Sequence, residues 1–103
     1  MGMDAYIEII KRDPNDKNNV LEREELCYWR KFYAVNDLLQ YDDSMYDKDL
    51  RLTKEDLERI LQLVTHERDY FGSFSTVSSV CEMLDQYDEL TKDGWIFVYN
   101  ANW

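Results

Sequence analysis

The chain has 103 residues, and its 12 Lys and Arg against 22 Asp and Glu give a formal net charge of −10. Hydrophobic residues make up 45% and aromatic residues 15%, which excludes a disordered chain and predicts a single domain over residues 1–103. Such an acidic chain is repelled by nucleic acid and by anionic membranes, so we expect neither as a direct partner. A protein with a basic surface is the partner that this charge favours.

The first half of the chain predicts a strand, a loop and a helix. Residues 4–11 alternate, with Ala5, Ile7 and Ile9 on one side, which is typical of a strand. Residues 12–20 hold the only proline among several turn-forming residues and predict a loop. A helix is predicted over residues 21–41, with glutamates near its first turn. Its main apolar stripe would be Tyr28, Phe32, Val35 and Leu39.

The second half predicts a short strand, two helices and a final strand. An acidic loop over residues 42–49 leads to a strand over 49–52, and Thr53 to Asp56 resembles a capping box that starts a helix. The apolar stripes of the two helices are Leu57, Ile60, Leu61 and Val64, then Val77, Val80, Cys81, Leu84 and Tyr87. Residues 95–99 alternate into a last strand that is apolar on both faces, which predicts a central position in the sheet.

These elements predict an α+β fold in the order β-α-β-α-α-β. The simplest closed arrangement is a three-stranded, mostly antiparallel sheet with three helices on one face. Tyr6, Trp95 or Tyr99, and Trp103 would then leave an aromatic surface on the other face. That surface would be either a binding site or an interface covered by a second copy in a homodimer.

The residue chemistry offers little for catalysis, so we expect no enzyme activity, no catalytic residue, no cofactor and no metal site. His66 is the only histidine and is interpreted as a partly exposed helical residue. Cys27 and Cys81 lie in apolar helical stripes, which predicts reduced packing residues in an intracellular compartment. The carboxylates of the 42–49 loop lack the spacing of a calcium loop and are interpreted as an acidic partner-binding surface: Asp42, Asp43, Asp47 and Asp49.

A binding site is predicted around the Tyr-Trp-Arg-Lys block at residues 28–31, because aromatic rings beside a guanidinium combine stacking with charge-assisted hydrogen bonds. Tyr28 lies on the stripe assigned to the core. For the rest of the block, support of the core and binding remain open alternatives. The candidate binding residues are Trp29, Arg30, Lys31, Tyr99 and Trp103.

Several segments together resemble a family of small bacteriophage and prophage proteins. The matching segments are residues 3–6, 25–31, 50–57 and 70–73, with an aromatic end at Tyr99 and Trp103. In that family a histidine often follows the Tyr-Trp-Arg-Lys block and the chain tends to end on paired tryptophans. Here Asn36 and Asp37 stand near the first of those positions, and Asn102 precedes the final tryptophan. The resemblance implies a viral origin and action in the cytoplasm of a bacterial host.

Three functional hypotheses follow. The first is a non-enzymatic accessory protein that binds and inhibits a basic host protein, as anti-CRISPR and related counter-defence proteins do. The second is a small-molecule or nucleotide sponge that uses the Tyr-Trp-Arg-Lys block. The third is a structural homo-oligomer. Ionic strength distinguishes the first two hypotheses. Association with a basic surface weakens steeply as the salt concentration rises, whereas binding of a buried nucleotide should be less sensitive.

Overall fold

The computed structural model describes residues 4–30, 34–66 and 74–103, without the side chains of residues 17, 18, 29, 30 and 74–76. Within these ranges the fold is α+β, with four antiparallel strands in the order β2-β1-β4-β3 and three α-helices. The predicted class is confirmed, and the three-stranded sheet is wrong. The elements are β1 Asp4–Asp13, β2 Asp16–Arg30, α1 Ala34–Leu39, β3 Leu50–Arg51, α2 Lys54–His66, α3 Phe74–Lys92 and β4 Trp95–Asn102.

The main correction concerns the first predicted helix, because its first ten residues belong to β2. This strand pairs with β1 from Asp4 opposite Arg30 to Asp13 opposite Asp16. Pro14 and Asn15 make the turn, in which the Asn15 N–H donates to Asp13 Oδ1 at 2.9 Å. Proline presets the backbone of such a turn. The chain therefore reverses directly into a long hairpin, and α1 is a six-residue helix.

Irregularities in β2 explain why its sequence does not alternate like a strand. The register with β1 shifts between Ile7 and Glu8, which leaves Leu26 as an extra residue of β2. A second shift leaves Leu21 as an extra residue, and a third, between Arg12 and Asp13, lies next to the turn. Each β-bulge changes the face to which the following side chains point. Glutamates and leucines then fall at spacings that favour a helix, although pairing with β1 fixes a strand.

β4 lies between β1 and β3 in the sheet. The central position that its two apolar faces predict is therefore confirmed. The strand extends to Asn102, beyond the predicted end. Gly94 precedes it at a φ of +95°, a conformation that glycine adopts without strain, and its N–H donates to Thr91 O at 3.1 Å. α3 therefore ends at Lys92 and the chain turns directly into β4.

The start of α2 is also confirmed. The Asp56 N–H donates to Thr53 Oγ1 at 3.1 Å, and the Thr53 N–H donates to Asp56 Oδ2 at 2.9 Å, so the two residues form a reciprocal capping box. The stripe that follows packs into the core through Leu57, Ile60 and Val64. This short-range pattern was sufficient to fix both the start and the buried face of the helix.

The core lies between the helices and one face of the sheet, which we call the inner face. Its residues on β1 and β4 are Ala5, Ile7, Ile9, Phe97, Tyr99 and Ala101. They cluster with buried residues of α2 and with Val80 and Met83 of α3. Tyr87 of α3 stacks on Phe97, with ring centroids 5.2 Å apart. Over residues 4–30, 34–66 and 74–103, no helix is long and apolar enough to cross a membrane.

The two cysteines are free thiols in different environments. Cys27 is buried, as predicted, although it lies on β2 instead of a helix. Burial, with a smaller contribution from Glu25, raises the pKa of its thiol to about 11, so the thiol stays protonated at neutral pH. Cys81 is exposed on α3, and its assignment as a packing residue is wrong. Met83 takes the buried position on that helix.

Candidate functional site

The side of the sheet opposite the helices carries polar and aromatic side chains, and we call it the outer face. The alternate residues of β1 point there. Tyr6 lies between Tyr28 of β2 and Asn100 of β4, while Glu8 lies opposite Glu25 of β2. The same strands thus supply an apolar inner face and a mixed outer face, on which Ile10 and Val98 are buried beside the charged residues, because successive strand residues point to opposite sides.

An open concavity of about 360 Å³, which we call the outer cleft, lies on this face. Its lining residues come from strands β1, β2 and β4 and from the loop before β3: Tyr6, Glu8, Arg23, Glu25, Asp47, Asp49, Asn100 and Asn102. Four carboxylates and one guanidinium give this lining a formal charge of 1 − 4 = −3. A cleft with this lining favours cationic groups and repels phosphates.

Arg23 organises the floor of the outer cleft. Its Nη1 contacts Glu8 Oε1 at 2.7 Å and its Nη2 contacts Asp49 Oδ2 at 2.7 Å. Asn100 Nδ2 donates to the other oxygen, Asp49 Oδ1, at 3.2 Å. The network links β2, β1, β4 and the residue that precedes β3. One guanidinium therefore fixes the positions of two carboxylates from distant parts of the chain.

Both partners of the Arg23–Asp49 pair are held in their charged forms. The hydrogen bond to Asp49 raises the pKa of Arg23 above its usual value, more than burial lowers it. Burial alone would raise the pKa of Asp49, but hydrogen bonds from Arg23 and Asn100 outweigh that effect and lower it. Glu25 and Asp47 are exposed beside this network. They are the carboxylates best placed to meet a cation from solution.

An aromatic pair borders the outer cleft. The rings of Tyr6 and Tyr28 lie 5.1 Å apart between centroids, and the Tyr28 hydroxyl donates to Asp4 Oδ1 at 2.7 Å. Tyr28 is 43% exposed, so its predicted place in the core is wrong. Tyrosines of this kind are enriched at protein interfaces, where they combine an apolar ring with a polar hydroxyl.

Most side chains of the Tyr-Trp-Arg-Lys block lie outside the described part of the chain. The backbone of Trp29 and Arg30 lies on β2, opposite Ala5 and Asp4, while their side chains and all of Lys31 lie outside the described part of the chain. The helical setting of the block is wrong for residues 28–30. Its ability to bind a ligand stays a prediction.

The two aromatic residues from the end of the chain lie on the side of the core. Tyr99 is fully buried and its hydroxyl donates to Asn36 Oδ1, while burial and the neighbouring Tyr41 raise its pKa. Trp103 is half-buried, with its ring edge-on to Tyr46 at 4.9 Å and to Tyr41 at 6.2 Å. These side chains support the 42–49 loop, and the outer cleft is lined without them.

The four acidic residues predicted from the loop divide into two pairs. Asp47 and Asp49 line the outer cleft. Asp42 precedes a 3-10 turn that contains Asp43, and it accepts from the Ser44 N–H at 3.0 Å. Hydrogen bonds from the Ser44 hydroxyl and N–H lower the pKa of Asp42. The loop therefore contributes to the site through its second pair.

A buried hydroxyl anchors this loop. Tyr41 is 3% exposed, and its hydroxyl donates to Lys48 O at 2.6 Å and accepts from the Ala101 N–H at 3.1 Å. The Asp47 N–H donates to Ala101 O at 2.9 Å, with Asp47 at a φ of +57°. Burial raises the pKa of the Tyr41 hydroxyl, so it stays neutral. These bonds fix the carboxylates of Asp47 and Asp49 beside β4.

Sequence reasoning missed the centre of the site. Arg23, Glu8 and Glu25 received no role, because residues 21–41 were predicted as a helix. The alternation of residues 4–11 was the available signal, since it places Tyr6 and Glu8 on the side opposite Ile7. Nothing local indicates that Arg23 would meet Asp49, 26 positions away.

The titratable side chains that line the outer cleft are four carboxylates, one guanidinium and the hydroxyl of Tyr6. In the residues that the structure describes, no group of three or more His, Cys, Asp and Glu side chains is arranged to hold a metal ion. His66 lies exposed at the end of α2, away from the residues of the outer cleft. Comparisons with protein-family models, curated proteins and solved structures find no match to this chain.

Proposed function

We propose that this chain is a non-enzymatic phage or prophage accessory protein that binds and inhibits a host protein with a basic surface. It would act in the cytoplasm of the bacterial host cell, as a counter-defence protein of the anti-CRISPR type. One observation carries the proposal: an open sheet face combines a cleft of formal charge −3 with a tyrosine pair in which Tyr28 is exposed and Tyr6 half-buried. The resemblance to phage proteins supplies the proposed setting.

Inhibition follows from the chemistry of such a partner. A basic surface that normally contacts nucleic acid is shaped to accept negatively charged oxygens, and carboxylates form strong charge-assisted bonds with its lysines and arginines. Glu25 on β2 and Asp47 on the loop that Tyr41 anchors offer such oxygens. Tyr28 adds apolar area at the margin. Occupation of the basic surface would exclude its usual ligand by competition.

The two alternatives receive no comparable support. A nucleotide sponge built on the Tyr-Trp-Arg-Lys block stays a prediction, since most of that block's side chains lie outside the described part of the chain. In the outer cleft itself, the excess of carboxylates repels phosphates. A homo-oligomer formed through the outer face would bring two such clefts together, at a net charge of −10 for each chain. The same excess of carboxylates that opposes phosphate binding in the outer cleft and self-association of the chain favours a basic partner.

The proposal is tested by affinity capture from a bacterial lysate, read by mass spectrometry. The bait is compared with the double variant Glu25→Lys and Asp47→Asn, in which Asn is chosen because it tolerates the positive φ at position 47. The matched control, Glu58→Lys and Glu89→Gln, changes the net charge equally on exposed positions of α2 and α3.

We expect the wild-type chain and the control to retain the same basic protein and the double variant to lose it. Raising the salt from 50 to about 500 mM should also release the partner, because dissolved ions screen the attraction between exposed opposite charges more strongly at the higher ionic strength. Equal capture by all three baits, or capture that is insensitive to salt, would refute the proposal.

A further inference from the structure

β2 combines a long free edge with side chains that suit a cationic strand. In the described ranges β2 has a single strand neighbour, β1, so its other edge borders no strand. In an antiparallel ladder every second residue directs its N–H and C=O away from the partner strand. An exposed edge of this kind is a template for pairing with another chain.

The two β-bulges limit how much of this edge is regular. Between Leu21 and Leu26, residues 22–25 pair without interruption with residues 8–11 of β1. Bulges twist an edge and stop a long strand from pairing along it. The regular segment therefore admits a short extended segment of about four residues and excludes extensive sheet growth.

The side chains along this segment are exposed and mostly acidic. Glu22, Glu24 and Glu25 accompany Arg23, whose guanidinium is already bound to Glu8 and Asp49. Glu24 lies opposite Ile9 and therefore on the inner side of the sheet, whereas Glu25 lies on the outer side. A neighbouring strand would meet carboxylates on both of its faces.

Large apolar side chains flank the same segment. Three described residues of this type are classed as exposed, and two of them lie on β2: Leu21 at 56% and Tyr28 at 43%. One stands at each end of the acidic segment. Interfaces characteristically combine apolar anchors with a polar surround, so this arrangement is that of a binding edge.

We infer that the free edge of β2 accepts a short, extended, lysine- or arginine-rich segment of the partner as a fifth strand of the sheet. Backbone hydrogen bonds would supply the pairing, and the three glutamates would select for basic side chains. A second copy of this chain fits less well, because fully overlapped antiparallel pairing places Glu22 opposite Glu25 twice. Arg23 would stand opposite Glu24, but its guanidinium is already bound to Glu8 and Asp49. This inference rests on the proposed function and specifies how the partner is held.

The test uses the full chain and two synthetic peptides of the sequence Lys-Val-Lys-Val-Lys-Val-Lys. One has an unmodified backbone, and the other has two adjacent central residues N-methylated, so that neither of its edges can pair. We expect the unmodified peptide to bind at least tenfold more tightly and to slow amide hydrogen exchange at those of residues 22–25 whose N–H points away from β1. Equal affinities without slowed exchange would overturn strand addition, and salt-sensitive binding of both peptides would still support the proposed function.

Two charge variants locate the contact on the edge. Glu24→Lys alters the edge without touching the outer cleft, whereas Glu58→Lys makes the same charge change on α2. We expect the first to weaken binding of the unmodified peptide at least fivefold more than the second. Equal weakening would overturn the inference. The inference would also be overturned if the unmodified peptide failed to bind a chain that still captures its basic partner. That result would leave the proposed function standing.

Discussion

The two faces of one sheet are built from alternate residues of the same strands, yet they differ in what they do. On β1, Ile7 is fully buried on the inner face, whereas its neighbour Glu8 joins an ion-pair network on the outer face. The inner face gains its stability from apolar burial, which is the dominant favourable contribution to folding. The outer face also buries Ile10 and Val98, but its exposed part is held by charge-assisted bonds and presents unneutralised carboxylates. We therefore expect substitutions on the two faces to differ in their effect on stability.

The largest expected loss of stability comes from creating a cavity on the inner face. Phe97→Ala removes a ring that is 1% exposed and stacks on Tyr87, so we expect a loss of about 3–5 kcal/mol in the free energy of unfolding. Urea denaturation followed by circular dichroism measures it. Glu25→Ala on the outer face is the control and should change stability by less than about 0.5 kcal/mol. Similar losses in both variants would show that the two faces are not energetically distinct.

The next effect concerns the bonds that fix the loop of the outer cleft to the core. Tyr41→Phe removes the hydroxyl that accepts from the Ala101 N–H and donates to Lys48 O, so we expect a cost of about 1–3 kcal/mol. Tyr46→Phe, at a residue 45% exposed, is the matched control with little expected change. Hydrogen exchange should quicken at Asp47 in the first variant alone. If exchange there is unchanged, the hydroxyl does not anchor the loop.

A smaller effect is expected from the ion pairs of the outer cleft. Arg23→Gln should cost at most about 1 kcal/mol at neutral pH, because the guanidinium is partly exposed. Since the folded-state pKa of Asp49 is lowered, the stability it contributes is present above its usual pKa of 3.8 and is lost as the pH falls through the folded-state value. The gap between wild type and variant should therefore narrow below about pH 4. Arg51→Gln, at an exposed arginine of β3, is the control.

The sequence predicted the elements whose signals are local. The alternation of residues 4–11, the Thr53–Asp56 capping box and the doubly apolar last strand each identified an element that the structure contains. β2 was missed because two extra residues, Leu21 and Leu26, interrupt its alternation and its composition favours a helix. The outer cleft was missed for the same reason, since it forms only when β2 places Arg23 beside β1. Two of the four carboxylates of the cleft, Asp47 and Asp49, were therefore predicted from the acidic loop, without the sheet that supplies the other two.

The smallest expected change in stability is also the sharpest test of the comparison, because its sign is opposite to the others. Glu25 lies directly opposite Glu8 in the β1–β2 ladder, and like charges in that position are destabilising. Glu25→Gln should therefore raise the free energy of unfolding, by about 0.2–0.5 kcal/mol at low salt, and the gain should fade at high salt. Glu24→Gln, opposite Ile9, should leave stability unchanged.

If Glu25→Gln stabilises the chain and weakens capture of the basic partner, this carboxylate serves binding at the expense of folding. A loss of stability instead would mean that Glu25 belongs to the supporting network of the sheet, and the division between the two faces would have to be redrawn.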